Sequence, residues 1–167
     1  FTGAGVYHAA MASDAERCRG EDVIVVGGGN SAGQAAVHLS GAARSVRIVI
    51  RGDGLAATMS RYLVARIEAR PNIEITTQTE VSAFHGDGRL EHADLRNRAD
   101  GSVERVAVSA VFVMIGAEPC TEAVGMMLDL DAAGYIRCGD EAAASDGPHR
   151  WRARDRRPHL LETVRPG

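Results

Sequence analysis

The chain has 167 residues, 45% of them hydrophobic, enough for one compact domain with or without an irregular tail but not for two full domains. Its formal net charge of -3 and pI near 6.1 give no electrostatic reason to expect nucleic acid or an anionic membrane as partner. All 19 basic side chains are arginine, which excludes Schiff-base lysine chemistry and the lysine-dependent phosphate loop of GxxxxGK[ST] ATPases.

The first 20 residues are rich in Gly and Ala and read as loop with one short helix. Asp22–Val26 (DVIVV) is a β-branched run stopped by three glycines, the pattern of a strand buried on both faces of a parallel sheet. A helix follows. Asn30 is the predicted N-cap, and Ala32, Ala35, Ala36, Leu39 and Ala43 form a stripe at helical spacing, small enough to lie close on a sheet. Val46–Ile50 (VRIVI) is the second strand, with Arg51-Gly52-Asp53-Gly54 as the loop after it. Met59, Leu63 and Ile67 mark a second helix over 56–69, ended by Pro71, and Ile73–Ile75 is a third strand.

From 79 to 108 the pattern changes to three strands separated by Gly86-Asp87-Gly88 and Asp100-Gly101, turn chemistry that predicts an inserted antiparallel meander. Val111–Ile115 (VFVMI) returns to a buried parallel strand. Residues 139–157, rich in Gly, Ala, Asp and Arg, read as linker or surface loop. The arginine-rich run from Arg150 reads as a solvated face rather than a nucleic-acid contact. The expected fold is therefore α/β: a Rossmann-like three-layer nucleotide-binding domain with a parallel sheet and an inserted antiparallel meander.

Gly27-x-Gly29-x-x-Ala32 sits between a predicted strand and a predicted helix, the context that gives a glycine pattern meaning. Gly27 permits a tight turn, Gly29 lets a pyrophosphate approach the backbone, and Ala32 keeps the helix close to the strand. Gly28, Asn30 and Ser31 complete the candidate loop, whose first-turn N–H groups and helix dipole attract a phosphate. At the end of the second strand an acidic residue accepts hydrogen bonds from a ribose 2′-OH, whereas arginine pairs with a 2′-phosphate. Arg51, 22 positions after Gly29, predicts NADPH, with Asp53 as the competing ribose contact and Arg61 as a second phosphate contact or a solvated helix arginine.

Cysteines stand only at 18, 120 and 138, without a CxxC, which argues against a disulfide framework or a zinc site and makes a reducing cytoplasm the expected location. No run approaches the roughly 18 to 20 apolar residues a membrane span needs. Neither nucleic acid nor membrane is an expected partner.

The segments VIVVGGGNSAGQAAVHLSGAARSVRIVIRGDGL and VFVMIGAEPCT resemble the NADPH-binding domain of the thioredoxin-reductase-like flavoproteins, over roughly residues 3–138. The resemblance implies that this domain is inserted into an FAD domain and that NADPH bound here serves an FAD held by flanking segments. It implies residues 1–20 as a connector from that FAD domain, 21–117 as the NAD(P)H-binding domain, and 118–167 as a return segment, partly irregular. Gly116, opening the segment similar to the family's IGxxPNT, joins the candidate cofactor-binding positions. A homodimer of the longer parent is compatible with the resemblance, and the electron acceptor stays open.

Three departures qualify it. The stretch Gly5–Ser13, where true thioredoxin reductases carry their CxxC, contains no cysteine; His8 falls where the first of the two would align. The family's HRRxxxR phosphate pattern is reduced to Ile50-Arg51-Gly52-Asp53-Gly54-Leu55-Ala56, leaving only Arg51 in place. Neither an FAD fingerprint nor the FAD-contacting GD motif is present, although His159–Gly167 is similar to the LLETxxPG run that leads into the latter. The resemblance is therefore to a dithiol-free variant, with a stand-alone or degenerate NADP(H)-binding module as the alternative. A flavin monooxygenase or amine-oxidising flavoprotein is a third reading, disfavoured by the meander and by IGAEPCT.

Overall fold

The computed structural model describes residues 1–11, 13–145 and 159–163. Two units are distinguished, Phe1–Ile115 and Gly116–Gly167. The first carries Val6–Tyr7 (β1), Asp14–Arg17 (α1), Asp22–Val26 (β2), Asn30–Leu39 (α2), Ser45–Val49 (β3), Arg61–Glu68 (α3) and Ile73–Thr76 (β4). Thr79–His85 (β5), His92–Asn97 (β6), Val103–Ala107 (β7) and Ala110–Val113 (β8) follow.

Five strands form an all-parallel sheet in the order β1-β8-β2-β3-β4, and β5-β6-β7 form a separate antiparallel sheet. The β-branched runs explain the arrangement, because alternate residues of the central strands enter different cores. Val23, Val25, Val46, Ile48, Ala110 and Phe112 pack on the helix side, against Ala32, Ala35, Ala36, Leu39, Leu63 and Ile67. Ile24, Val49 and Val111 face the opposite way, against Leu90, Ala93, Leu95 and Val108 of the meander region. The result is three layers, helices over parallel sheet over antiparallel sheet, as the sequence predicts.

Four local expectations are corrected. Val6–Tyr7, within the expected N-terminal loop, pairs in parallel with Val111 and Phe112 and forms the sheet edge. Helix α2 ends at Leu39 with Ser40 as its C-cap, so Ala43 is buried from the turn beyond it. Helix α3 starts at Arg61 rather than 56, because Thr58 Oγ1 donates to Gly28 O (2.8 Å) and Ser60 N donates to Asn30 Oδ1 (2.8 Å), holding 56–60 against the glycine loop instead of in a helical ladder.

The fourth correction lies in the second unit. Gly139–Ser145 form a short helix (α4) where a linker is expected; the rest of that linker, with the Arg150 run, falls outside the described residues. Here the Asp131 carboxylate accepts from the N–H groups of Ala133 (2.8 Å) and Tyr135 (2.9 Å), and Gly139 N donates to Glu162 O (2.8 Å). Among the described residues no helix is long and apolar enough to cross a membrane.

Candidate functional site

From β2 the chain leads to β3 on one side, while β8 lies on the other. In parallel α/β sheets a ligand crevice opens outside the carboxyl ends of the strands where the order diverges in this way. Gly27-Gly28-Gly29 occupy that place. Gly27 N–H donates to Val49 O (3.0 Å) and Met114 N–H to Val26 O (2.8 Å), so the loop leaves a sheet that is still in register on both flanks.

The three glycines have different reasons to be glycine. Gly27 takes φ +138°, and a Cβ there would lie 2.4 Å from the Met114 carbonyl oxygen, so the turn itself demands it. At Gly28 a Cβ would press on Thr58 Oγ1 at 3.2 Å. Gly29 differs from both: its backbone is extended (φ −88°, ψ 178°), and a Cβ would meet nothing within 4 Å. No contact within the described protein requires glycine there, and the space a side chain would fill lies open at the mouth of the loop.

Asn30 is corrected from N-cap to first residue of α2, with Gly29 at the cap and no side-chain hydrogen bond to the helix terminus. The Asn30 amide oxygen instead accepts from Ser60 N, and the first backbone bond across the terminus is Gly33 N to Gly29 O (3.1 Å). The first-turn N–H groups are thus left uncapped by protein side chains, with Asn30 and Ser31 exposed and Ala32 fully buried. Ala32 keeps the close approach expected of it: a Cβ on Gly27 would sit 3.4 Å from its own. Sequence reasoning missed Gly33, where a Cβ would collide with Met59 Sδ at 2.7 Å; this glycine seats the 55–60 segment on α2.

Arg51 follows β3 and is exposed, as is Arg61, which opens α3 rather than lying a turn inside it. Arg17, Arg19, Arg44, Arg47, Arg96 and Arg105 each reach a carboxylate. Arg51 and Arg61 reach none among the described residues. The Asp53 carboxylate, the competing ribose contact, accepts instead from Gln78 Nε2 at 2.6 Å. Gln78 holds this geometry in the left-handed region (φ +49°), with its N–H on Gly52 O (2.9 Å).

On the β8 flank of α2 lies a cavity of about 390 Å³, lined by Ala10, Ser31, Gln34, Ala35, His38 and Met114. Its residues come from three separated stretches of chain, so no single motif announces them. His8 and Cys120 are both exposed, the latter a free thiol in the second unit. Gly116 also belongs to that unit, exposed and at φ +99°.

The pyridine nucleotide-disulphide oxidoreductase family model matches residues 4–148. This chain belongs to that family. Within it, the chain is 36% identical to thioredoxin reductase of Mycolicibacterium smegmatis over 137 residues, covering 82% of this chain and 43% of that one. Thioredoxin reductase of Streptomyces clavuligerus is 38% identical over 117 residues, 70% of this chain and 36% of the relative. The crystal structure of Lactococcus lactis thioredoxin reductase in its FR conformation superimposes with a TM-score of 0.73 at 27% identity, covering 80% of this chain and 44% of that one. The chain thus spans less than half the length of these relatives. The thioredoxin-reductase-like resemblance and the Rossmann-type fold read from the sequence both hold.

Proposed function

We propose that this chain is the NADPH-binding portion of a thioredoxin-reductase-like flavoprotein oxidoreductase. The observation that carries the reading is Gly29, whose glycine identity no contact within the described protein demands and whose missing Cβ leaves the loop mouth open. The NADPH pyrophosphate would lie there, against the uncapped first turn of α2 at Asn30, Ser31 and Ala32, where orphan N–H groups and helix dipole favour an anion. Gly27 and Gly28 shape the turn. Arg51 and Arg61 would hold the 2′-phosphate, and the tethering of Asp53 by Gln78 supports the phosphorylated cofactor over NADH. The cavity at Ser31, Gln34 and Met114 would take the nicotinamide half.

When bound, NADPH supplies a hydride for FAD, whose site we assign to segments outside this chain; the residues here bind and orient the donor. Residues 1–20, 21–117 and 118–167 are read as connector, nucleotide-binding domain and return segment of a longer, cytoplasmic parent. Without cysteines in Gly5–Ser13, a dithiol relay through that stretch is not part of the proposal. Titration calorimetry with NADPH and NADH tests the cofactor assignment. Tighter binding of NADPH is expected, and equal affinities would overturn it.

A further inference from the structure

Gln78 makes three bonds that join the end of β3 to the turn between β6 and β7. Its side chain holds Asp53, its N–H donates to Gly52 O, and its carbonyl accepts from Arg98 N at 2.7 Å. Arg98, the first residue after β6, is thereby brought to the loop that follows β3, and its Nη1 lies 3.4 Å from the Arg51 carbonyl oxygen. That is a long contact for an N–H···O bond and leaves most of the guanidinium's five donors unused. Arg98 is exposed, and its charge meets no carboxylate among the described residues. A guanidinium set against another arginine's backbone, with no carboxylate bonded to it among the described residues, gains where an anion completes the corner.

We propose that Arg98, supplied from the antiparallel sheet, is a specificity-determining cation for the 2′-phosphate of the bound dinucleotide. The assignment rests on the NADPH reading above. It gives the antiparallel layer a part in cofactor choice, and it places a positive charge beside Arg51 from a segment 47 positions further along the chain. Planar guanidinium groups converging on one phosphate, each offering paired donors, bind it more tightly than a single arginine does.

The test is calorimetric titration of this chain and of its Arg98→Gln and Arg98→Lys variants with adenosine 2′,5′-bisphosphate and adenosine 5′-monophosphate, at low and high salt. Gln removes the charge while keeping a neutral polar side chain, and the backbone bond to Gln78 survives in either variant. Arg98→Gln should weaken the bisphosphate by about tenfold, leave the monophosphate unchanged, and flatten the salt dependence of bisphosphate binding; Arg98→Lys should retain part of the affinity. Equal effects on both ligands, or none on either, would overturn the role of Arg98 while leaving the pyrophosphate site standing. A folded parent chain that binds neither nucleotide would overturn the NADPH reading and Arg98's role with it.

Discussion

Gln78 Nε2 donates to Asp53 Oδ1 at 2.6 Å, and this bond ties the one carboxylate of the 51–54 loop to the residue that leads into β5. In the proposed NADPH reading the bond holds Asp53 toward Gln78, and Arg51 is the charge at the strand end left to meet the 2′-phosphate. Gln78→Asn tests the clasp, since asparagine tolerates the left-handed backbone at φ +49° but is one methylene shorter. Freed, Asp53 repels a 2′-phosphate and accepts from a 2′-OH. We expect the preference for NADPH over NADH to narrow severalfold, in keeping with about 1 kcal/mol for exposed charges. An unchanged ratio of affinities in calorimetry would separate Asp53 from cofactor choice.

Arg51→Ala should remove on the order of 1 to 3 kcal/mol of the NADPH preference, toward the lower end because the side chain is exposed. NADH affinity should change little. The loss should shrink at high ionic strength, where exposed pairing is screened within about 10 Å or less.

The two ends of the glycine motif are expected to fail in different ways. Gly27→Ala forces a Cβ toward the Met114 carbonyl at φ +138° and should lower the melting temperature clearly. Gly29→Val meets open space on an extended backbone, costing about 1 kcal/mol or less through the weaker N-cap, yet should abolish nucleotide binding. Thermal melts and titrations of the two variants must therefore diverge. A folded Gly29→Val protein with parent affinity would refute the site.

These contrasts also show what was legible before the structure. The β-branched runs at 22–26 and 46–50 specify the central strands because few other environments bury such residues on both sides, and the glycine turns specify the meander. Two-residue β1 carries no period to detect. The start of α3 depends on Thr58 and Ser60 bonding to Gly28 and Asn30, partners about 30 positions away that no local propensity encodes. The role of Asn30 is hidden for the same reason: as a cap it would satisfy its own helix, but its oxygen accepts from Ser60 N. Arg98 is the most distant case, since the Gln78 bonds that deliver it exist only once the meander has folded back on β3.

The meander carries its own electrostatic support. Hydrogen bonds from Arg105 (2.7 and 3.0 Å) and then His85 (2.8 Å) hold the Asp94 carboxyl well below the usual carboxylate range. A depressed folded pKa means that the unfolded chain takes up the proton first. The stabilisation is therefore present above the ordinary Asp value of about 3.9 and is lost as pH falls below it. Asp94→Asn should melt below the parent at neutral pH, with the gap closing under about pH 4. A gap independent of pH would assign the effect to packing.

The last expectation concerns turnover. The described residues contain one glycine-rich strand-to-helix cradle, at Gly27–Gly29, and the proposal assigns that cradle to NADPH. Hydride transfer needs donor and acceptor fixed at about 3 to 3.5 Å, which a single dinucleotide site does not arrange. The Gly5–Ser13 stretch offers no thiol pair to accept electrons in its place. The purified 167-residue chain should therefore bind NADPH yet show neither flavin absorbance nor sustained NADPH oxidation with a dye or a dithiol substrate. Stoichiometric FAD in the visible spectrum, or steady turnover, would mean that this chain holds the second cofactor itself and would overturn its assignment as the nucleotide-binding portion alone. Turnover gained only when flanking FAD-binding segments are joined to it, and lost again with Gly29→Val, would tie the hydride donor to this loop.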